Sequence, residues 1–376
     1  MKKLSTQNST TFRLRELDFL RGVAIILVLM RHIKLSTFTE KIGWVGVDLF
    51  FVLSGFLVSG LLFKEYIKFG NIKPKLFLIR RGFKIYPIYF IFYILYLIPI
   101  YFKHDLNIIG VLSDITFTQN YYNGWGYACG ATWSLAVEEH FYFGLTFLLW
   151  LGLKTNINFL DSKSTKSPKV KFVTIILALM TLVFLFRFFS NIINPQNVVR
   201  HFTMTHLRID SLLAGVLIAY FFYFKRNVLD LFFDKTSTYL FIFCLAGLSW
   251  IPFFDPLPSF FVKTFGFTIL YISFAIILIT FLLKRDINDI LNKCLTAPVV
   301  NLISKVGYCS YSIYIIHIFC KWFYEKSISH FLKIETNIYL DFIIISMFSI
   351  ITGMIMTFKI EKYFLDIRDK YYPSRV

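Results

Sequence analysis

Long apolar runs recur along this chain and leave it few folds to adopt. Ten can be counted, near residues 17–36, 44–63, 85–102, 135–153, 172–190, 208–224, 238–254, 263–283, 305–322 and 337–358. A bilayer's hydrocarbon core takes roughly 17–25 such residues per helical crossing. Lipid offers no hydrogen bonds to a bare backbone, so runs of this length cross as helices. Composition agrees: 57% of residues are hydrophobic and 16% charged, where soluble domains carry about 25% charged. The expected fold class is all-α. The chain reads as a polytopic membrane protein of about ten transmembrane helices, one domain over residues 1–376.

Charge suggests an orientation. The net charge is +18, and the basic side chains gather between apolar runs. Lys64, Lys68, Lys73, Lys75, Arg80, Arg81 and Lys84 share one loop, and Lys154, Lys163, Lys166, Lys169 and Lys171 another. The stretches 103–134 and 190–207 hold only Lys103 and Arg200. Positive charge stays on the cytoplasmic side, so both termini are expected there, in the cytoplasmic membrane. The same rule explains the basic excess without nucleic acid. The polar start, MKKLSTQNSTTFRLR, precedes a run with no small-residue cleavage site, so the first run is expected to remain as a helix. Five scattered cysteines make no CxxC pair, and neither a disulfide framework nor a metal site is expected.

Against this apolar frame the polar residues stand out. Arg21 and His32 sit eleven residues apart in the first run, about three helical turns, within roughly 20° of one face and about 16 Å apart along the axis. Ionisable residues inside a span line polar cavities or proton paths. Asp18, three residues before Arg21, is placed to pair with it. His32 is suited to taking and returning a proton near neutral pH; the competing reading is an interfacial histidine between Arg31 and Lys34.

Three other strings carry candidate chemistry. FLIRRGFKIYP places Arg80, Arg81 and Lys84 in one turn, a set suited to phosphate oxygens or, more plainly, to a topology signal. ATWSLAVEEHFYF sets Ser134 four residues before Glu138, with Glu139 and His140 beside it. The stretch FTQNYYNGWGYACGATW, in the long segment 103–134, offers Trp125 and Trp133 for stacking on a sugar or for an interfacial aromatic belt. Arg208 and Asp210 stand two apart and so need separate partners, and His317 lies in an apolar run where a structural hydrogen bond competes with catalysis. From the residues alone, an enzyme and a transporter are evenly matched.

Taken together the strings RELDFLRGVAIILVLMRH, GWVGVDLFFVLSGFLVSGLL, FLIRRGFKIYP, TWSLAVEEHFYF, RIDSLLAGVL and GYCSYSIYIIH resemble, in that order, acyltransferase family 3 of integral membrane acyltransferases. The resemblance runs from about residue 14 to 360. It implies transfer of an acyl group, commonly acetyl from cytoplasmic acetyl-CoA, to a hydroxyl of a surface or lipid-linked glycan such as O-antigen, capsule or exopolysaccharide. It also implies roles. Arg21, His32 and Glu138 would be catalytic, and Arg80, Arg81 and Lys84 would bind the donor. Trp133, Ser134, Asp48 and Trp125 would bind the acceptor, with no metal. Lys84 stands where many members have arginine; it keeps the charge and loses the bidentate fork. Many relatives add a hydrolase-like domain after the last span. This sequence stops at Val376, so the stand-alone type is expected. A glycan transporter or flippase remains the alternative.

Overall fold

Helix follows wherever the sequence turns apolar, and local chemistry sets the ends. The computed structural model describes residues 14–155, 171–327 and 337–376, and the regular elements among them are helical. The basic loop expected at 155–171 lies almost wholly outside the described residues. The chain opens with α1 (Arg15–His32), α2 (Thr37–Gly43), α3 (Gly46–Phe69) and α4 (Pro74–Phe102). Two short helices, α5 (Ile108–Ile115) and α6 (Gln119–Tyr122), precede α7 (Trp133–Lys154). There follow α8 (Phe172–Ile193), α9 (Val198–Thr203), α10 (Asp210–Phe224), α11 (Arg226–Ser249) and α12 (Phe267–Leu283). The last five are α13 (Ile287–Leu295), α14 (Ala297–Tyr308), α15 (Ser310–Tyr324), α16 (Ile338–Ile355) and α17 (Lys362–Tyr371).

Ser36 and Thr39 exchange side-chain and backbone hydrogen bonds to start α2. Gly70 ends α3 at φ +67°, a left-handed turn that glycine takes without strain. Pro74 then opens α4, where a missing N–H costs nothing.

All ten apolar runs fold as helix. Among the described residues, however, six helices are long and apolar enough to cross a membrane, or seven if the α14–α15 pair is one bent span. The expectation of about ten spans is thus met for six or seven helices, and the others fall short for physical reasons. Helix α1 is only 18 residues long and carries Arg15, Glu16, Asp18, Arg21 and Arg31. Helix α7 is diluted by Glu138, Glu139 and His140, and α10 has 15 residues. Helices α14 and α15 meet at 79°.

Helix α3 is the central post: 78% of the most apolar part of Thr37–Phe69 is buried, against 17% for Arg226–Phe253 on the periphery. Glycine lets neighbours approach it. A Cβ on Gly55 would lie 2.0 Å from the Leu212 carbonyl oxygen, and one on Gly215 would lie 2.2 Å from that of Val52, so α3 and α10 touch backbone to backbone. Gly307 does the same for α14 against α1, its Cβ falling 1.8 Å from the Asp18 oxygen. That contact fixes α14 on one end of α1, and the bend after it lays α15 beside the other end, where His32 sits.

Candidate active site

Three polar stripes face one another in the bundle. On α7, Ser134, Glu138 and Tyr142 follow at i, i+4 and i+8; on α15, Ser310, Tyr314 and His317 follow at i, i+4 and i+7; on α1, Arg21 and His32 share a face. Each stripe lies on one side of its helix, and together with α3 and α4 they line three neighbouring chambers that share wall residues.

The first chamber is cationic, with a volume of about 90 Å³. Arg81 and Lys84 enter from α4, Arg21 from α1, and Glu138 with Tyr142 from α7. Tyr142 donates to Glu138 Oε2 at 2.6 Å and accepts from Ser54 at 2.9 Å. The Glu138 carboxylate lies within electrostatic reach of Arg81 and Arg21. The Arg81 guanidinium packs 5.4 Å from the Tyr142 ring, which holds it over the chamber. The Lys84 ammonium sits 3.8 Å from Glu361, on the π-helical turn Met356–Glu361 that joins α16 to α17.

The second chamber, about 80 Å³, shares Arg21, Glu138, Phe50 and Tyr311 with the first. Its far wall is Ser134 and Tyr314. The Tyr314 hydroxyl donates to the Ala131 carbonyl at 2.8 Å and accepts from Ser134 Oγ at 2.6 Å. Tyr314 and Val47 are shared in turn with the third chamber.

That third chamber is the largest, about 410 Å³, and it is aromatic. Trp44, Trp125, Trp133 and Phe202 line it, with ring centroids 5.3–6.2 Å apart between neighbours. His32 opens into it from the end of α1. Its Nδ1 lies 3.0 Å from the Val28 carbonyl and 3.1 Å from Nε2 of His317. Lys321 caps the end of α1 by donating to the His32 carbonyl at 2.8 Å.

Part of this wall comes from the long segment 103–134, which is folded. Helices α5 and α6 occupy it, and Asp114 accepts from the Tyr127 and Ala128 amides at 2.9 Å each. Burial pushes the Asp114 carboxyl above its ordinary range despite those two donors. Asn120 ties the segment to Thr205, and Gln119 donates to the Thr132 carbonyl within it. Trp125 is thereby presented to the chamber on a fixed support.

The site residues expected from sequence divide. Arg21, Glu138, Arg81, Lys84, Ser134, His32, Trp133 and Trp125 line the three neighbouring chambers. Arg80 does not. One helical step from Arg81, it turns to α17, pairs with Asp369 at 3.0 Å and donates to the Tyr372 carbonyl. Asp48, expected at the acceptor, lines none of the three chambers: it is fully buried and its Oδ1 pairs with Arg208 at 2.7 Å, while Oδ2 has no hydrogen-bond partner. Arg187 holds Asp210 at 2.8 Å, which supplies the separate partners required of Arg208 and Asp210. His140 turns away to Thr205. Trp44, Tyr142, Tyr311 and Tyr314 were not singled out from the sequence. The i+4 continuation of the Ser134–Glu138 stripe would have found Tyr142, and the Ser310–His317 stripe Tyr314.

No solved structure matches the chain. Curated relatives do. The chain is 31% identical over 219 residues to "Putative O-acetyltransferase SACOL0978" of Staphylococcus aureus (strain COL), covering 54% of this chain and 34% of that protein. It is 28% identical over 231 residues to the peptidoglycan O-acetyltransferase OatA of Listeria monocytogenes, covering 56% of this chain and 34% of the relative. The chain thus spans about a third of the length of these relatives. The family match is broader: the acyltransferase-domain family covers residues 14–359, which include every chamber-lining residue named above. The chain belongs to the acyltransferase-domain family.

Proposed function

We propose that this protein is a membrane O-acetyltransferase that moves an acetyl group from acetyl-CoA to a hydroxyl of a cell-envelope glycan. The observation that carries the reading is the series of chambers, from a mouth lined by Arg81, Lys84 and Arg21 to an aromatic hollow holding His32. Guanidinium and ammonium groups suit the phosphates of coenzyme A. By the positive-inside rule that mouth faces the cytoplasm of a cytoplasmic-membrane protein with ten membrane-crossing segments, some short and broken, and both termini inside. The donor's thioester arm extends through the neck past Arg21 and Glu138. Indole rings offer flat faces for a sugar in the third chamber.

The chemistry then needs one base. His32 takes the proton of the acceptor hydroxyl, whose oxygen attacks the thioester carbonyl. As the carbon–sulfur bond breaks, the thiolate leaves and recovers that proton from His32. Among the described residues no activated nucleophile adjoins the path, which favours direct transfer. The Listeria relative's name makes a peptidoglycan-type glycan the first acceptor to try, ahead of O-antigen, capsule or exopolysaccharide. A glycan transporter would move its cargo without consuming acetyl-CoA.

The test is to incubate the purified protein in lipid vesicles with radiolabelled acetyl-CoA and glycan fragments. Label should enter the acceptor, and His32→Ala should abolish it. Glycan movement across the vesicle with no label in any acceptor overturns the reading in favour of transport.

A further inference from the structure

His317 is fully buried on α15, and the reaction above gives it nothing to do. Its position is nonetheless specific. Nδ1 lies 2.7 Å from the Tyr314 carbonyl, Nε2 lies 3.1 Å from His32 Nδ1, and the two rings are 4.8 Å apart at 53°.

Those contacts decide which nitrogens carry hydrogen. A carbonyl only accepts, so His317 Nδ1 must donate to Tyr314. In a neutral ring Nε2 is then bare and offers its lone pair to His32. His32 Nδ1 thus faces two acceptors, His317 Nε2 and the Val28 carbonyl, and has to carry a hydrogen of its own. What remains is His32 Nε2, without hydrogen and with its lone pair available. The opposite tautomer would set an unprotonated Nδ1 against two further lone pairs. Val28 alone is a weaker guide, because an i–4 carbonyl in a helix is already the acceptor of a backbone bond. His317 has no such prior claim on Nε2.

We infer that His317 is a positioning residue, holding His32 in the tautomer whose Nε2 takes the acceptor's proton and accepting from Nδ1–H of the imidazolium formed during transfer. This rests on the reading of His32 as general base. The proton balance is closed within His32. The hydroxyl proton goes to Nε2 and leaves from Nε2 to the departing thiolate, while His317 keeps its own hydrogen on Tyr314 throughout. The support is built from both sides. Tyr314, whose carbonyl orients His317, is itself fixed to Ser134 in the first turn of α7 and to Ala131 just before it. One residue of α15 thereby sets the tautomer, and another joins the second chamber to the third.

The experiment compares His317→Leu, which removes donor and acceptor, with His317→Gln, whose side-chain oxygen reaches about as far as Nε2. In vesicles, His317→Leu should lower kcat about 10–100-fold, below the 10²–10⁴ range of a whole general base because Val28 remains. KM for donor and acceptor should hold, and His317→Gln should recover most of kcat. A side chain needed only for packing would not be rescued by glutamine with KM unmoved. ¹⁵N NMR of histidine-labelled protein reads the tautomer directly, the His32 signals being assigned by their loss in His32→Ala. The wild type should show a protonated Nδ1 and a bare Nε2, and His317→Leu should populate the other tautomer. A His32 protonated at Nε2 in the wild type overturns the inference, as does full kcat in His317→Leu. If His317→Leu fails to accumulate, the wild-type spectrum and the glutamine variant decide. The two readings fail separately: an active His32→Ala removes the base, whereas an inactive His32→Ala beside a fully active His317→Leu removes only the positioning role.

Discussion

The bundle holds two sets of ionisable side chains that look alike in sequence and differ in what surrounds them. In the first, Arg208 pairs with Asp48 and Arg187 with Asp210, all four fully buried. Arg187 also donates to the carbonyls of Thr264 and Leu207 and to Thr268, and Arg208 lies 3.6 Å from the Phe267 ring centroid. Protein surrounds this set, with Asp48 Oδ2, Arg208 Nε and Asp210 Oδ1 buried without a hydrogen-bond partner. In the second, Arg21, Glu138, Arg81, Lys84 and His32 line neighbouring chambers and are only partly buried. The closed set joins α3, α8 and α10 and so holds the post of the bundle in place, while the open set presents charge to a space. A buried charge is therefore not by itself a functional site in this protein. The distinction lies in whether its hydrogen-bonding edge meets protein or a cavity.

Breaking the closed set should cost the fold. Arg208→Ala leaves Asp48 buried without its partner, at about 3–5 kcal/mol, a large part of the roughly 5–15 kcal/mol that holds a typical domain together. The expected result is loss of the monodisperse detergent-solubilised protein. The apolar double replacement Arg208→Met with Asp48→Leu should restore much of it, because neither charge is then stranded. If Arg208→Ala yields stable protein that lacks only activity, the pair belongs with the open set.

Breaking the open set should spare the fold and cost the reaction. His32→Ala should lower kcat by about 10²–10⁴-fold, the usual worth of a positioned base, with the thermal unfolding midpoint near wild type. Unfolding in step with inactivity would place His32 with the structural residues. A smaller effect is expected at the aromatic chamber. Trp125→Ala removes one stacking face, about 0.5–1.5 kcal/mol, and should raise KM for the glycan several-fold while leaving KM for acetyl-CoA unchanged. An equal rise in both would make the tryptophan a structural wall.

How much of this was legible beforehand follows the same line. Apolar runs gave the helices, and the eleven-residue interval between Arg21 and His32 gave a shared face, because helical periodicity is a local property. The i, i+4 spacing of Ser134 and Glu138 likewise pointed inward. What sequence could not show is which helix stands opposite. Asp48 was grouped with acceptor-binding residues because its string carries the family resemblance, and only the α3–α10 crossing, brought close by Gly55 and Gly215, shows that Arg208 takes it. The partnership of His32 and His317 is equally non-local, joining residues 285 positions apart. The way the segment 103–134 is ordered was hidden for a related reason. Its order comes from Asp114 accepting two amides thirteen and fourteen residues on, which no periodicity records.

Arg80 and Arg81 sharpen the comparison to adjacent residues. Sequence offers them as one basic cluster, yet a helix turns about 100° per residue, enough to send them to different surroundings. Arg81 points into the cationic chamber over Tyr142, whereas Arg80 reaches Asp369 and the Tyr372 carbonyl on the far side of α4. If donor phosphates bind in the chamber, Arg81→Ala should raise KM for acetyl-CoA about 10–100-fold, the worth of about 1.5–3 kcal/mol for a hydrogen bond to a charged group. Arg80→Ala should do far less. Its partner Asp369 is 54% exposed, and a pair open to solvent contributes about 0–1 kcal/mol, felt as a small loss of stability near the C-terminus rather than in KM. Kinetics on the two single variants separate the possibilities. Equal rises in KM would mean that Arg80 leaves Asp369 to meet the donor, whereas no rise in either would reduce both to a topology signal. A rise confined to Arg81 would locate the donor's charge inside the chamber, on the side of α4 that faces Glu138.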